Sequence, residues 1–184
     1  MERKLELKDI AGYLPYKLWV NVYEKELTGD TGDYCCGGEI EAIAGKKASY
    51  DEQERYVNIY KVDYRWTTEY FITKPILRPL ADLYHTITHN GKEIVPIVEL
   101  AKIAQPDIEW YFDHNRAYCN GGYAEFVYDS INHCFRQWSY GMEKHTHNQY
   151  QLFDYLNELK IDYRGLIGGG RAIDCNTLDI NTYE

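Results

Sequence analysis

Asp82, His85 and His89 stand at i, i+3 and i+7, the spacing that lines side chains along one face of a helix. A carboxylate and two imidazoles arranged in this way offer ligands to a divalent metal and would equip a metal-dependent hydrolase. The plainer account is the wet side of an amphipathic helix, because the remaining ligands of a metal site are not apparent around them. A second group, His114, Cys119, His133, Cys134, His145 and His147, has the residue types of a zinc site without its paired spacing. Cys134 also falls on a helical stripe with Ile131 and Trp138, where a thiol behaves as a small hydrophobe. The turn-like run Tyr34-Cys35-Cys36-Gly37-Gly38 could expose two thiols. A nucleophilic Cys needs a base and an orienting group, however, and no His follows at a family-specific distance. Ordinary thiols are the simpler reading there.

Gly168-Gly169-Gly170-Arg171 invites an anion-binding reading. Successive backbone N–H groups can form a nest, and Arg supplies a two-pronged donor. The run lacks the Gly-Lys-Ser/Thr ending of a phosphate loop, so its alternative is a flexible turn returning the chain to a sheet. No cofactor motif is present, and no cofactor is expected. The aromatic content is the other clue: the chain has 19 Tyr. Tyr56, Tyr60 and Tyr64 share one face of an expected strand, and Trp110, Tyr111 and Phe112 crowd together. Such rings favour recognition surfaces, although they also fill the interior of sheets.

Hydrophobic periodicity supplies the elements that must position these groups. Leu7, Ile10, Ala11 and Leu14 predict a short helix over 6–14, stopped by Pro15. Alternation predicts strands over 17–23 and from Glu39 to Ala44, with turn chemistry at 28–33 between them. The β-branched and aromatic stretches Arg55 to Tyr64 and Trp66 to Thr73 read as antiparallel neighbours. Pro79 opens an expected helix over 79–88 with Leu80, Leu83, Tyr84 and Ile87 on one stripe, which Asn90-Gly91 ends or turns. A second helix starts at Pro96, presents Ile97, Leu100, Ala101 and Ala104, and closes at Gln105-Pro106-Asp107. An aromatic segment over 108–123 contains a loop at Asn120-Gly121-Gly122. Val127, Ile131, Cys134 and Trp138 predict a helix over 124–139, and Leu152, Phe153, Leu156 and Leu159 another over 147–160. Thr146-His147-Asn148-Gln149 has the form of a capping box for the latter. Arg171 to Cys175 adds a short strand. Strands first and helices afterwards predict an α+β fold, a single domain over 1–184 with an antiparallel sheet from the N-terminal half packed against several short helices.

Length and charge bound the function. With 184 residues the chain can bury a genuine core. A net charge of −9 argues against nucleic acid as a partner, since phosphates must be met by Lys and Arg. No run of 18 apolar residues offers a membrane helix, and the charged opening Met1–Lys8 is unlike a secretory signal. Five Cys in irregular spacing fit reduced thiols. A cytoplasmic location is the expectation.

Leu7-Lys8-Asp9-Ile10-Ala11-Gly12-Tyr13-Leu14-Pro15-Tyr16 resembles the opening of small uncharacterised proteins of gut Bacteroidales and their phages and prophages. Lys74 to Leu83, Asn90 to Ile97, Asp162 to Ile167 and Ala172 to Asp174 resemble later blocks of that group, in the same order. Residues 105–147 match none of these blocks and read as an insertion. The resemblance implies a phage-linked accessory protein of a bacterial cytoplasm, and it carries over no functional residue. The expected function is therefore non-enzymatic: binding of a host protein, a small ligand or a second copy through a Tyr-rich surface. A metal-dependent hydrolase using the Asp/His or the Cys/His cluster is the alternative.

Overall fold

The computed structural model describes residues 5, 7–16, 18–24, 36–40 and 71–178. The turn expected at 28–33, the strand Arg55 to Tyr64 with its pairing, Cys35, and the face of Tyr56, Tyr60 and Tyr64 lie outside the described residues. The chain divides into two compact units. Among the described residues no helix is long and apolar enough to cross a membrane.

The first unit joins the N-terminal elements to residues 164–178. Helix α1 (Leu7–Ile10) is one turn long, and a 3-10 turn over Leu14–Tyr16 follows. Pro15 thus sits within a tighter turn instead of simply stopping a helix over 6–14. The large buried ring of this segment is Tyr13, which the expected stripe omitted; Ala11 is exposed. Strands β1 (Leu18–Glu24), β2 (Cys36–Ile40) and β3 (Phe71–Leu77) pair antiparallel with β1 in the middle. A short strand, Ile173–Asp174, adds to β3 in parallel, with Ile173 opposite Ile76.

The second unit spans residues 78–163 among the described residues. Where a helix over 79–88 was expected, the chain makes a 3-10 turn at Leu80–Tyr84 and then a hairpin of β4 (Ile87–His89) and β5 (Lys92–Ile94). Asn90 and Gly91 both have positive φ, 52° and 70°. That is the type I′ turn whose twist matches a tight hairpin, so Asn90-Gly91 turns the chain instead of ending a helix. Helix α2 (Pro96–Ala104) forms as its sequence predicts, with Pro at its start and Ile97, Leu100 and Ala101 buried. Strands β6 (Trp110–Asp113), β7 (Arg116–Cys119), β8 (Ala124–Asp129), β9 (Cys134–Ser139) and β10 (Met142–Lys144) make a five-stranded antiparallel sheet in sequential order. Helix α3 (Gln149–Glu158) completes the unit.

The expected helix over 124–139 is corrected to the β8–β9 hairpin. Ala124, Phe126 and Tyr128 are buried while Glu125, Val127 and Asp129 are only partly so, a period of two that outweighs the sparser i, i+4, i+7 stripe. Asp129 closes the turn by accepting from the backbone N–H groups of Ile131 and Asn132. Ile131, expected to face inward, stands 88% exposed at the tip. Trp110, Ala117, Cys119, Phe126 and Phe135 pack with Ile97, Leu100, Leu152, Leu156 and Leu159 in one core. The α+β class expected from the sequence is what folds. The sheet that carries α2 and α3 comes from residues 110–144, however, and not from the N-terminal half.

The capping box expected ahead of α3 does not form. Asn148 is the cap residue and makes no side-chain cap bond; its amide donates instead to the Ile103 carbonyl at 2.9 Å. Thr146 Oγ1 is buried without a hydrogen-bond partner. The Gln149 amide reaches Phe135, accepting its N–H at 3.0 Å and donating to its carbonyl at 2.6 Å. Strand β10 pairs with β9 only as far as Lys144 opposite Gln137, so the Gln149 side chain takes the place of a peptide group two residues further along.

Candidate functional site

One face of the five-stranded sheet carries the core; the other collects aromatic and charged side chains. The register runs Tyr111 opposite Tyr118, Tyr118 opposite Glu125, Glu125 opposite Trp138, and Trp138 opposite Glu143. Residues in register share a face, so these five make a single row across all five strands. Tyr111 and Tyr118 rings lie 5.9 Å apart. Where β8 begins and β9 ends, Tyr123 and Tyr140 stack at 5.3 Å with planes 18° apart, and their backbones are joined by a 2.6 Å bond from Tyr140 N–H to the Tyr123 carbonyl.

Tyr140 is 76% exposed and has φ 52°, followed by Gly141 at φ 74°. This is a second type I′ turn, but with a bulky ring where Asn or Gly is usual. Left-handed backbone at a residue of that size is strained by about 1–3 kcal/mol. The stacking on Tyr123 helps hold it.

Two guanidinia lace the same face. Arg116 pairs with Glu125 at 2.6 Å and Asp113 at 3.4 Å, while Arg136 pairs with Asp129 at 2.9 Å and Glu143 at 3.4 Å. Each Arg therefore sits between two carboxylates, and the network keeps a surplus of negative charge. His114 bonds to Asp113 and holds its carboxyl below the usual Asp range, with Arg116 adding to the effect. Asp129 is lowered first by its bonds from Asn132. Tyr111 is raised by its hydrogen bond to Glu109 and remains a phenol at neutral pH.

The residues marked out from the sequence fare differently. Trp110 is buried and donates from Nε1 to the Gln105 carbonyl at 3.1 Å, whereas Tyr111 and Phe112 are exposed. Trp138, expected on an inward helical stripe, lies on the open face of the sheet. Asp82, His85 and His89 lose the helical face that would have aligned them. Asp82 is buried within 3.9 Å of the Arg78 guanidinium, and His85 is exposed after the 3-10 turn. His89 lies in β4, 3.2 Å from Glu158 Oε1 and edge-on to Tyr155. Of the second cluster, His114 and His133 occupy separate hairpin turns, both with positive φ. Cys119 is buried and accepts the Ala124 N–H at 3.1 Å, and His145 and His147 meet edge to face at 4.6 Å. Among the described residues no three His, Cys, Asp or Glu side chains gather as a metal site would require. Cys119, Cys134 and Cys175 are free thiols.

The Gly168–Arg171 turn uses its donors internally. The N–H groups of Gly169, Gly170 and Arg171 donate to the carbonyls of Gly165, Ile167 and Leu166 at 3.1, 2.9 and 2.8 Å. The Arg171 guanidinium donates to the buried Asp9 carboxylate at 3.0 Å. These donors therefore serve the fold of the first unit. Replacing Arg171 with Gln is expected to lower that unit's stability by about 2 kcal/mol, read as an earlier urea midpoint at unchanged slope. An Arg171→Gln protein with wild-type stability would return the guanidinium to the role of a ligand donor.

Sequence reasoning singled out Tyr111 but not Tyr118, Tyr123 or Tyr140. The signals were present: alternation over Arg116-Ala117-Tyr118-Cys119, and Tyr140-Gly141 between two strand-like runs. No known family, no curated protein and no solved structure matches the chain.

Proposed function

We propose that this is a non-enzymatic binding protein, a phage-linked accessory factor of the bacterial cytoplasm, which engages a protein partner through the open face of its five-stranded sheet. The observation that carries the reading is the row of Tyr111, Tyr118 and Trp138 on the face opposite α2 and α3, with the exposed Tyr123–Tyr140 stack at the end of the β8–β9 pair. Tyr and Trp supply broad contact area with few rotatable bonds, so little entropy is lost when a partner orders them. The salt-bridged Arg and carboxylate groups around them fit a polar rim.

The test compares wild-type protein with a Tyr118→Ser/Tyr140→Asn variant; Asn tolerates the left-handed backbone at position 140. Tyr140→Asn relieves the strained turn while Tyr118→Ser gives up a partly exposed ring, and both proteins should remain folded by far-UV circular dichroism. Immobilised wild type is expected to retain a defined protein from host lysate, with about tenfold less retained by the variant, as for loss of one binding hot spot. A strict monomer by light scattering, with equal retention by both proteins, overturns the reading.

A further inference from the structure

Resting on that reading of the sheet face, we infer that its partner presents an extended basic segment, with Lys or Arg at alternate positions, laid across the strands along the row Tyr111–Tyr118–Glu125–Trp138–Glu143. The row itself contains three rings and two carboxylates; Glu125 and Glu143 share Arg116 and Arg136 with Asp113 and Asp129, so four carboxylates face two guanidinia. Aromatic faces attract cations through their quadrupole, and a neighbouring carboxylate completes the charge. A row that mixes rings with carboxylates in excess of their own cations therefore recognises cationic side chains better than anionic or neutral ones.

The surroundings have the same sign. Arg116 and Arg136 are each engaged by two carboxylates, so the face keeps net negative charge after its own pairs are formed. The chain carries −9 in all, which disfavours a second copy placed face to face and an anionic partner alike. Geometry sets the length of the segment. Five strands about 4.8 Å apart span about 19 Å, the reach of about six extended residues. Side chains on one side of such a segment recur about every 7 Å, a step that carries successive cations along the row from Tyr111/Tyr118 to Glu125/Trp138 and Glu143.

The probe is a capped hexapeptide alternating Arg and Ser, titrated against the full chain with amide chemical shifts as readout. Hexapeptides with Glu or Gln in place of Arg serve as controls. The expected result is shifts concentrated at Tyr111, Tyr118, Glu125, Trp138 and Glu143 with the Arg peptide alone. Affinity should fall as salt is raised from about 50 mM towards 1 M, because the contacts are exposed. Tyr118→Ser and Glu125→Gln should each weaken binding about fivefold, whereas an Asp107→Asn/Asp154→Asn variant, with charge removed elsewhere on the exposed surface, should change it by less than about twofold. Shifts scattered over the whole acidic surface, or equal weakening by the control pair, would overturn the inference. If the Glu or Gln peptide occupies the same row, the face is a binding surface for a different chemistry and only the charge assignment falls. If no peptide perturbs the row, the inference falls; the binding reading itself falls only if the Tyr118→Ser/Tyr140→Asn protein also retains its partner as wild type does.

Discussion

Phe135→Ala should destabilise the second unit by about 3–5 kcal/mol, the usual cost of removing a fully enclosed ring. Phe135 is almost wholly buried and stacks on Phe126 at 5.5 Å with planes 12° apart. It also meets Tyr128 at 5.1 Å and Phe153 at 5.5 Å. Its removal therefore opens a cavity walled by three other rings that cannot collapse without shifting both the sheet and α3. Ring pairs add about 0.5–1.5 kcal/mol each beyond area burial, which places this position near the top of that range. Chemical denaturation followed by near-UV circular dichroism measures the loss. A change below about 1 kcal/mol would mean that the β8–β9 hairpin and α3 do not share a core, and the sheet arrangement would be wrong.

Gln149→Ala should cost about 3 kcal/mol, more than its partial exposure suggests. The substitution strips both hydrogen bonds from the Phe135 peptide beyond the end of β10. Two unsatisfied backbone groups next to a packed core each cost about 1–3 kcal/mol. Gln149→Glu separates the two bonds. A carboxylate still accepts from the Phe135 N–H but faces the Phe135 carbonyl with no proton to offer, so its folded-state pKa is raised above the unfolded value. Stability contributed by a group with a raised pKa is present below the unfolded pKa, about 4.3 for Glu, and is lost as pH rises through the folded one. The deficit of Gln149→Glu relative to wild type should therefore be largest at neutral pH and shrink on acidification. A deficit independent of pH would show that the donor half of the amide bridge is dispensable.

The two variants explain why the second unit was harder to read from sequence than its helices were. Helix α2 was legible because Pro96 and the apolar positions Ile97, Leu100 and Ala101 agree, local preference and burial pointing the same way. In β8 and β9 two periods overlap. Val127, Ile131, Cys134 and Trp138 satisfy a helical stripe, while Ala124, Phe126 and Tyr128 satisfy a strand. Phe153, Leu152 and Leu156 pack on the side of the hairpin that holds Ala124, Phe126 and Tyr128 while the other side stays partly exposed, and that contrast selects the period of two. Gln149 misleads for a related reason. Its sequence position fits a capping box, yet the vacancy at the end of β10 draws the amide away.

Local chemistry in the chain determined the turn at Asn90-Gly91, the helix begun by Pro96, the apolar face of α3, the short strand near 173, the mixed α+β class and the acidic charge, because each depends on side chains only a few positions apart or on composition alone. Tertiary structure decided the rest. It set Asp9 against Arg171, scattered the His and Cys residues over separate strands and turns, and aligned Tyr111, Tyr118 and Trp138 from three strands into one row. Distance along the chain does not specify strand register. That register is selected by which faces can be buried together, a property of the folded whole.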